Sequence, residues 1–237
     1  MHWSEIDRSK GEMLLLPTFR LPTLIHSRSG NAKWLYEISN QNPIWIHPQD
    51  ARHFEVATGD LLKVHSAIGY FVDRVWVTEG IRPGIIACSH HLGRWRLGEQ
   101  AGGSGWATAV VDLKEVGPGK WRMRQIRGIR PFVSGDLDSQ RIWWQDAGVH
   151  QNLIFAVQPD PVSGQHCWHQ KVRLERPQGD DLYGDIYVDT EAAHQIYSQW
   201  LELTRPAHGP GNLRRPLWLA RVYRPAPEAF YLTDHEK

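Results

Sequence analysis

The chain has 237 residues, of which 41% are hydrophobic and 22% are charged. This composition excludes collagen-like, coiled-coil and disordered proteins, and the longest apolar runs are far below the ~20 residues that cross a bilayer. The net charge of +1 excludes a protein that holds nucleic acid through bulk positive charge alone. Within that balance, 20 Arg against 7 Lys and a total of 12 Trp favour recognition of a planar or phosphorylated partner.

The first sixty residues predict a loop and two short helices. Turn-forming residues predict a loop at 20–31 and a turn at 58–60. Between them, apolar residues at helical spacing predict a helix at 32–39, which Asn31 would cap. A second helix is expected to start at Pro48, because proline is well tolerated in the first turn of a helix.

The middle of the chain alternates apolar and polar residues, which is typical of β-strands that bury one face. Strands are expected at 43–47, 61–66, 70–78, 85–89, 106–113, 121–126, 152–157 and 171–175. The last of these would close a barrel. The stretch at 90–105 holds five glycines and is predicted to be a functional loop.

The C-terminal part predicts one amphipathic helix and an arm. Residues 190–203 have a single apolar face, and Arg205 and Pro206 end the pattern. The stretch at 208–232 contains four prolines and has no periodicity. It is interpreted as an extended arm that lies on a partner, and a frayed tail is the alternative interpretation.

Several phrases of the sequence, in this order, carry a resemblance to one known family. They are TFR (18–20), HSRSGNAKWL (26–35), NPIWIHPQDA (42–51), ATGDLLKVHSAIGYF (57–71), VTEGIRPGIIACSHHLG (77–93), GVHQNLIF (148–155) and DPVSG (160–164). Together they are similar to the molybdopterin-dinucleotide-binding C-terminal domain of the dimethyl-sulfoxide-reductase family. The resemblance implies a mainly β fold, a double-psi β-barrel of six strands at 13–176. An N-terminal extension at 1–12 precedes it, and a helix with a Pro-rich arm for partner docking follows at 177–237.

The resemblance also implies a cofactor. In this family the domain closes over two pyranopterin guanine dinucleotides (bis-MGD) that hold molybdenum or tungsten. The chain is expected to be a subunit, or a split C-terminal part, that completes this cofactor cage for an oxidoreductase and is not catalytic alone. Its two cysteines cannot hold an iron–sulfur cluster.

The resemblance also implies partner subunits, which would supply the groups that this chain cannot hold. The iron–sulfur cluster and the metal ligand are expected in a large catalytic molybdopterin subunit, with an iron–sulfur electron-transfer subunit and a membrane anchor as further candidates. No direct contact with nucleic acid and no membrane span of its own are expected. Residues 1–10 show no export signal, which predicts a cytoplasmic location unless a partner carries a signal.

The first segment of candidate cofactor ligands is the predicted loop at 20–31. The resemblance implies that this loop contacts the pterin and its phosphate. Its hydroxyl groups, its Arg side chains and the backbone N–H groups that precede a helix are donors suited to an anion. Its members are Arg20, His26, Ser27, Arg28, Ser29, Gly30 and Asn31. Ordinary loop solvation, or helix capping for Asn31, is the alternative.

Two further segments carry candidate ligands. His90, His91 and Gly93 follow a predicted strand, where the family's loop reaches the cofactor. Because neighbouring residues of an extended strand point to opposite sides, only one histidine is expected to face the pterin, with His91 preferred. Asn152 matches the family's pterin-facing carboxamide, which can donate and accept hydrogen bonds at once, and Gln151 is expected to share that task.

Four residues have a weaker expectation of cofactor contact. Asn42 and Asp50 are candidate cofactor neighbours, although a carboxylate at a helix start explains Asp50 without any ligand. Arg94 and Arg96 are expected to pair with phosphate or with the partner subunit.

Three other functions are compatible with parts of the sequence. The group His166, Cys167 and His169 suggests a metal hydrolase, but the two histidines face opposite sides of an extended segment. The basic run at 121–130 favours a barrel that binds RNA or single-stranded nucleic acid. A stand-alone pterin carrier is the third alternative, and the exposed helix and arm argue against it.

Overall fold

The structure is a computed structural model that describes residues 6–17, 35, 38, 41–93, 95–98, 109–126, 148–157, 168–202, 204–206 and 214–216. The strands in this part of the chain are β1 (Glu12–Leu16), β2 (Ile44–Ile46), β3 (Leu61–His65), β4 (Gly69–Val77), β5 (Ile85–Ala87), β6 (Trp95–Leu97), β7 (Ala109–Gly117), β8 (Lys120–Gln125), β9 (Gln170–Glu175), β10 (Ile186–Asp189), β11 (Thr204–Pro206) and β12 (Arg214–Pro216). The helices are α1 (Pro48–His53) and α2 (Thr190–Glu202), and 3₁₀ turns lie at Arg8–Lys10 and Gln151–Ile154.

Six of the strands close into a barrel. Around the ring their order is β2, β5, β1, β9, β3 and β4, and β4 pairs with β2 to close it. Two neighbouring pairs are parallel, β1 with β5 and β2 with β4, and the other four are antiparallel. The prediction of a mainly β, double-psi barrel with short helices is confirmed, and the strand predicted at 171–175 is β9, a member of the ring.

The core lies inside this ring. Successive side chains of a strand point to opposite faces, so alternate residues of β1, β3 and β9 are buried. Leu15, Leu62, Val64, Phe71 and Ile86 have no exposed surface. Burial of each such side chain stabilises the fold by roughly 1.5–3 kcal/mol, which makes the ring a rigid base for the loops at its ends.

The short helix α1 follows β2 as the sequence predicts. Pro48 occupies its first turn, and the His47 side chain caps it by accepting a hydrogen bond from Gln49 N at 3.1 Å. The turn predicted at 58–60 is also observed. Leu35 and Ile38, the two described residues of the helix predicted at 32–39, are helical.

The sheet continues beyond the ring. β10 pairs with β4 and with β8, and β7 and β6 follow in the same sheet. Helix α2 begins directly after β10, where the Asp189 carboxylate accepts a hydrogen bond from Ala192 N at 3.0 Å. β10 therefore joins the barrel sheet although it lies after residue 176, where the sequence suggests a domain boundary.

Two details of the predicted secondary structure are wrong. The apolar run at 152–157 was expected to be a strand, but residues Gln151–Ile154 form a 3₁₀ turn. A short apolar run does not distinguish a strand from a helical turn by periodicity. β6 lies inside the stretch at 90–105 that was predicted to be a loop. In the C-terminal arm, Arg214–Pro216 pairs with Thr204–Pro206, and the rest of the arm is outside the described residues.

None of the helices in the described part of the chain is long and apolar enough to cross a membrane.

Candidate functional site

The two adjacent histidines lie directly after the barrel strand β5. β5 ends at Ala87, and residues 90 and 91 form a turn. The imidazole rings of His90 and His91 therefore stack, with centroids 4.1 Å apart. The expectation that the two side chains point to opposite sides is wrong, because it assumed an extended strand at these positions.

The two rings differ in their surroundings. His91 is 1% exposed, and its Nδ1 lies 2.6 Å from the Ser89 hydroxyl oxygen. His90 is partly exposed, and its Nδ1 lies 2.7 Å from the Pro17 carbonyl oxygen. The exposed Trp168 ring lies beyond His90, with centroids 6.3 Å apart. The histidine preferred from the sequence is thus the buried end of a stack of three flat rings.

The 3₁₀ turn at Gln151–Ile154 carries the two candidate amides. Gln151 has no exposed surface, and its Nε2 donates a hydrogen bond to the Cys88 carbonyl oxygen. The Oε1 atom of Gln151 and the Oδ1 atom of Asn152 are buried without a hydrogen-bond donor within the described ranges. Buried polar atoms are nearly always paired in native proteins, so both oxygens are acceptors suited to an incoming N–H group.

Asn42 joins the two segments. It is fully buried, and its Nδ2 donates to the Ser89 carbonyl oxygen at 2.5 Å and to the Val149 carbonyl oxygen at 3.0 Å. Its Oδ1 accepts a hydrogen bond from Val149 N at 2.8 Å. One side chain thereby links the histidine segment to the segment that carries Gln151 and Asn152.

Two glycines allow these segments to approach each other. Gly93 has φ +80°, and a Cβ at this position would overlap with the backbone of Val149 and His150. Gly148 has φ +86°, and a Cβ there would overlap with Asn42 Oδ1 and lie 2.5 Å from Leu92 Cβ. Gly93, predicted from the sequence as a cofactor contact, is therefore needed for close backbone packing within the site.

Burial dominates the electrostatics around these segments. It lowers the pKa of the His150 imidazole, an effect opposed by a hydrogen bond with the Leu92 backbone. It also raises the pKa of Asp73 and of the Cys88 thiol well above their usual values. Cys88 Sγ donates to the Asn42 carbonyl oxygen at 3.0 Å and lies 3.9 Å from Asp73 Oδ2. Burial therefore disfavours a negative charge on both side chains, where the site meets the barrel core.

The structure brings together only some of the residues singled out in the sequence. His90, His91, Gly93, Gln151 and Asn152 converge at one end of the barrel. The predicted first-loop ligands, Arg20, His26, Ser27, Arg28, Ser29, Gly30 and Asn31, lie outside the described residues, as do Arg94 and the Arg96 side chain.

Asp50 lies away from this end and has a structural role. Its carboxylate accepts hydrogen bonds from Arg8 at 2.6 Å and from Gly84 N at 2.7 Å. Asn42, in contrast, is more central than the sequence suggested. Its partners are backbone groups, which leave no signature in a single sequence apart from the glycine at 148.

Two alternative functions find little support in the described residues. No group of three or more His, Cys, Asp or Glu side chains placed to hold a metal ion occurs among them, while His166 and Cys167 of the proposed metal group lie outside the described residues. In the basic run, Arg124 is engaged by the Asp185 carboxylate at 2.5 Å, and Arg122 contacts Asp180 at 3.5 Å. Intramolecular ion pairs thus occupy these two guanidinium groups, which a nucleic acid would need.

Comparison with known proteins is consistent with this geometry. Residues 14–115 match the family model described as the molydopterin dinucleotide binding domain. The molybdopterin-containing subunit of arsenate respiratory reductase from Chrysiogenes arsenatis is 30% identical over 79 residues, which cover 30% of this chain. The trimethylamine-N-oxide reductase of Haemophilus influenzae is 33% identical over 79 residues, which cover 33% of this chain.

The matched segment is a small part of these relatives. It spans 9% of the length of each reductase. Among solved structures, acetylene hydratase from Pelobacter acetylenicus aligns with a TM-score of 0.43 and 12% identity. That alignment covers 72% of this chain and 19% of the hydratase.

Proposed function

We propose that the chain completes the cofactor cage of a molybdenum or tungsten oxidoreductase, because residues 14–115 match the family model of the molydopterin dinucleotide binding domain. The cofactor would be a molybdopterin guanine dinucleotide, shared with a catalytic polypeptide. The observation that carries this proposal is the buried Oδ1 of Asn152, which has no donor within the described part of the chain. A reduced pterin presents N–H donors along its ring edge, and these suit a carboxamide oxygen.

The residues around this oxygen fit the cofactor. The Asn152 carboxamide would bind the pterin edge and orient it. Gln151 anchors the same turn by donating to the Cys88 carbonyl oxygen, and the buried His91 ring helps to exclude water from the site. When bound, the molybdopterin cofactor supplies the redox chemistry through its metal, while the protein supplies orientation and environment.

The experiment uses the full chain with its partner, produced in a host that makes the cofactor. We expect pterin to co-purify and to be measurable by fluorescence after oxidative release, together with molybdenum or tungsten by mass spectrometry. Native material without pterin would refute the proposed function. The nucleotide released with the pterin distinguishes the guanine form from other dinucleotides.

Replacement of Asn152 by Leu tests the residue that carries the proposal. The change keeps the side-chain size and removes the carboxamide, so pterin retention is expected to fall by about tenfold, the equivalent of one buried hydrogen bond. Gln49→Leu is the control, because Gln49 is an exposed amide on α1. Equal pterin content in Asn152→Leu and in the wild type would show that Asn152 is not a ligand.

The partner is proposed to be a large catalytic subunit with a pterin and an iron–sulfur cluster. Helix α2 supports this, since none of its 13 residues is buried and Tyr197 is 40% exposed. A helix with an apolar face normally buries it against another surface. Tyr197→Glu is expected to release the large subunit during size-exclusion chromatography, and an intact complex would contradict this docking role.

A further inference from the structure

Asn42 is the side chain around which the candidate site is built. It connects two segments that are far apart in the sequence, 88–93 and 148–152. All of its amide hydrogen bonds go to backbone groups, at Ser89 on one segment and at Val149 on the other. Its own carbonyl oxygen accepts a hydrogen bond from Cys88 Sγ at 3.0 Å. The residue is 0% exposed, and its side-chain amide is engaged by backbone groups of both segments, so it acts on the protein structure.

The packing around Asn42 leaves little room for other arrangements. A side chain at Gly148 would overlap with Asn42 Oδ1, and a side chain at Gly93 would overlap with Val149 and His150. Both glycines also have positive φ values. The two segments can therefore come this close only with glycine at both positions and with Asn42 between them.

Each linked segment carries groups of the candidate site. The Ser89 carbonyl oxygen accepts a hydrogen bond from Asn42 Nδ2, and the Ser89 hydroxyl lies 2.6 Å from His91 Nδ1. Val149 lies three residues before Asn152, whose Oδ1 is the buried acceptor. A shift of either backbone segment would change the distance between the histidine ring stack and the carboxamide.

We propose that Asn42 is the positioning residue of the cofactor site: it holds the segments 88–93 and 148–152 in register, so that His91 and Asn152 face the cofactor together. This inference rests on the proposed function. Among side chains of this size, only an amide donates two hydrogen bonds and accepts one at the same place. An aspartate would direct a carboxylate at two carbonyl oxygens, and an alanine would leave the buried Ser89 carbonyl oxygen and Val149 N–H without the Asn42 partner.

The first measurement uses the full chain without cofactor. Hydrogen exchange of the Val149 amide is expected to be at least about tenfold faster in Asn42→Ala and Asn42→Asp, because a lost buried hydrogen bond has about that effect. The Val64 amide in β3 serves as an internal reference. Unchanged exchange at Val149 would show that Asn42 does not hold the segment 148–152 in place, whether or not the chain binds a pterin.

The second measurement is pterin retention in the assembled complex. Asn42→Ala and Asn42→Asp are expected to lose pterin by about tenfold. Val64→Ala is the matched control, because Val64 is fully buried in the core of the ring and belongs to neither segment. Equal pterin loss in Val64→Ala and Asn42→Ala at equal thermal stability would mean that Asn42 is merely structural.

A double-mutant cycle separates positioning from general damage. If Asn42 acts through Asn152, adding Asn42→Ala to Asn152→Leu is expected to cause less than a twofold further loss of pterin, since coupled residues are not additive. Fully additive losses would overturn the positioning role. A wild-type complex without pterin would refute the proposed function instead. The exchange result at Val149 would still decide whether Asn42 holds the two segments together.

Discussion

At the residue scale, Gly148 shows how tightly the site is packed. Its backbone has φ +86°, and a Cβ would lie 2.5 Å from Leu92 Cβ and even closer to Asn42 Oδ1. Gly148→Ala is therefore expected to lower the free energy of unfolding by about 2–4 kcal/mol, through overpacking and backbone strain together. Urea denaturation of the full chain measures this change.

Gly59 provides the matched control for that substitution. It also has a positive φ, +97°, but a Cβ there would meet nothing within 4 Å. Gly59→Ala thus reports the backbone cost alone and is expected to destabilise by about 1–2 kcal/mol. Similar losses in both variants would mean that the contact between Gly148 and Asn42 is looser than the structure shows.

The sequence identified the residue types of this site better than their roles. Asn152 was predicted because it matches the pterin-facing carboxamide of the family that the sequence resembles, and Gln151 because it is adjacent; both lie at the end of the barrel. Asn42 was given a weaker expectation, because its hydrogen-bond partners, at Ser89 and Val149, are 47 and 107 positions away in the chain. No local pattern encodes a contact between a side chain and a distant backbone.

At the element scale, an ion pair between Asp185 and Arg124 of β8 attaches the loop between β9 and β10 to the sheet. The Asp185 carboxylate is fully buried. It accepts hydrogen bonds from Arg124 Nε at 2.8 Å, from Arg124 Nη2 at 2.5 Å and from Leu182 N at 3.1 Å. Asp185→Asn breaks this pair and is expected to destabilise the chain by about 3–5 kcal/mol, measured as a shift in the denaturation midpoint.

Asp180 offers a control on the same guanidinium. Its side chain is 78% exposed and lies 3.4 Å from Arg124 Nη1. Because exposed ion pairs contribute little, Asp180→Asn is expected to change stability by less than about 1 kcal/mol. If the two variants had equal effects, the depth of burial would not explain the attachment of this loop.

Strand elements were the most predictable part of the fold. Alternating apolar residues located β3, β4, β7 and β8, because each buries one face. The same criterion failed at 152–157. There the backbone of Val149 is held by Asn42, and the chain turns into a 3₁₀ helix where a strand was expected. A tertiary contact overrides the local preference at this point.

At the scale of the whole molecule, stability is expected to depend on pH through Asp73. This carboxyl group is 1% exposed, and burial raises its pKa well above the usual value. The unfolded chain releases this proton at a lower pH than the folded chain does. Between the two pKa values, the folded state therefore loses stability as pH rises, by up to about 1.4 kcal/mol per pH unit.

Asp73→Asn removes this dependence. Relative to the wild type, the variant is expected to gain free energy of unfolding progressively as the pH rises above the usual pKa of an aspartate. Denaturation curves across this range, at constant ionic strength, provide the measurement. A constant difference between the two proteins at all pH values would show that Asp73 does not hold its proton in the folded state.

Closure of a barrel by the strand at 171–175 was expected from the strand pattern, but the order of the strands around the ring was not. Alternation shows which residues face inwards, but it does not show which strands are neighbours. The parallel pairs β1 with β5 and β2 with β4 join strands that are separated by other elements, so only the three-dimensional structure reveals them.

Strand β4 has two partners along one of its edges. Its first three residues, 69–71, pair with β10, and its last three, 75–77, pair with β2. Strand β4 therefore belongs both to the ring and to the outer part of the sheet, and its two partners use different backbone groups. The outer strands can therefore detach from this edge without breaking any backbone pairing of the ring.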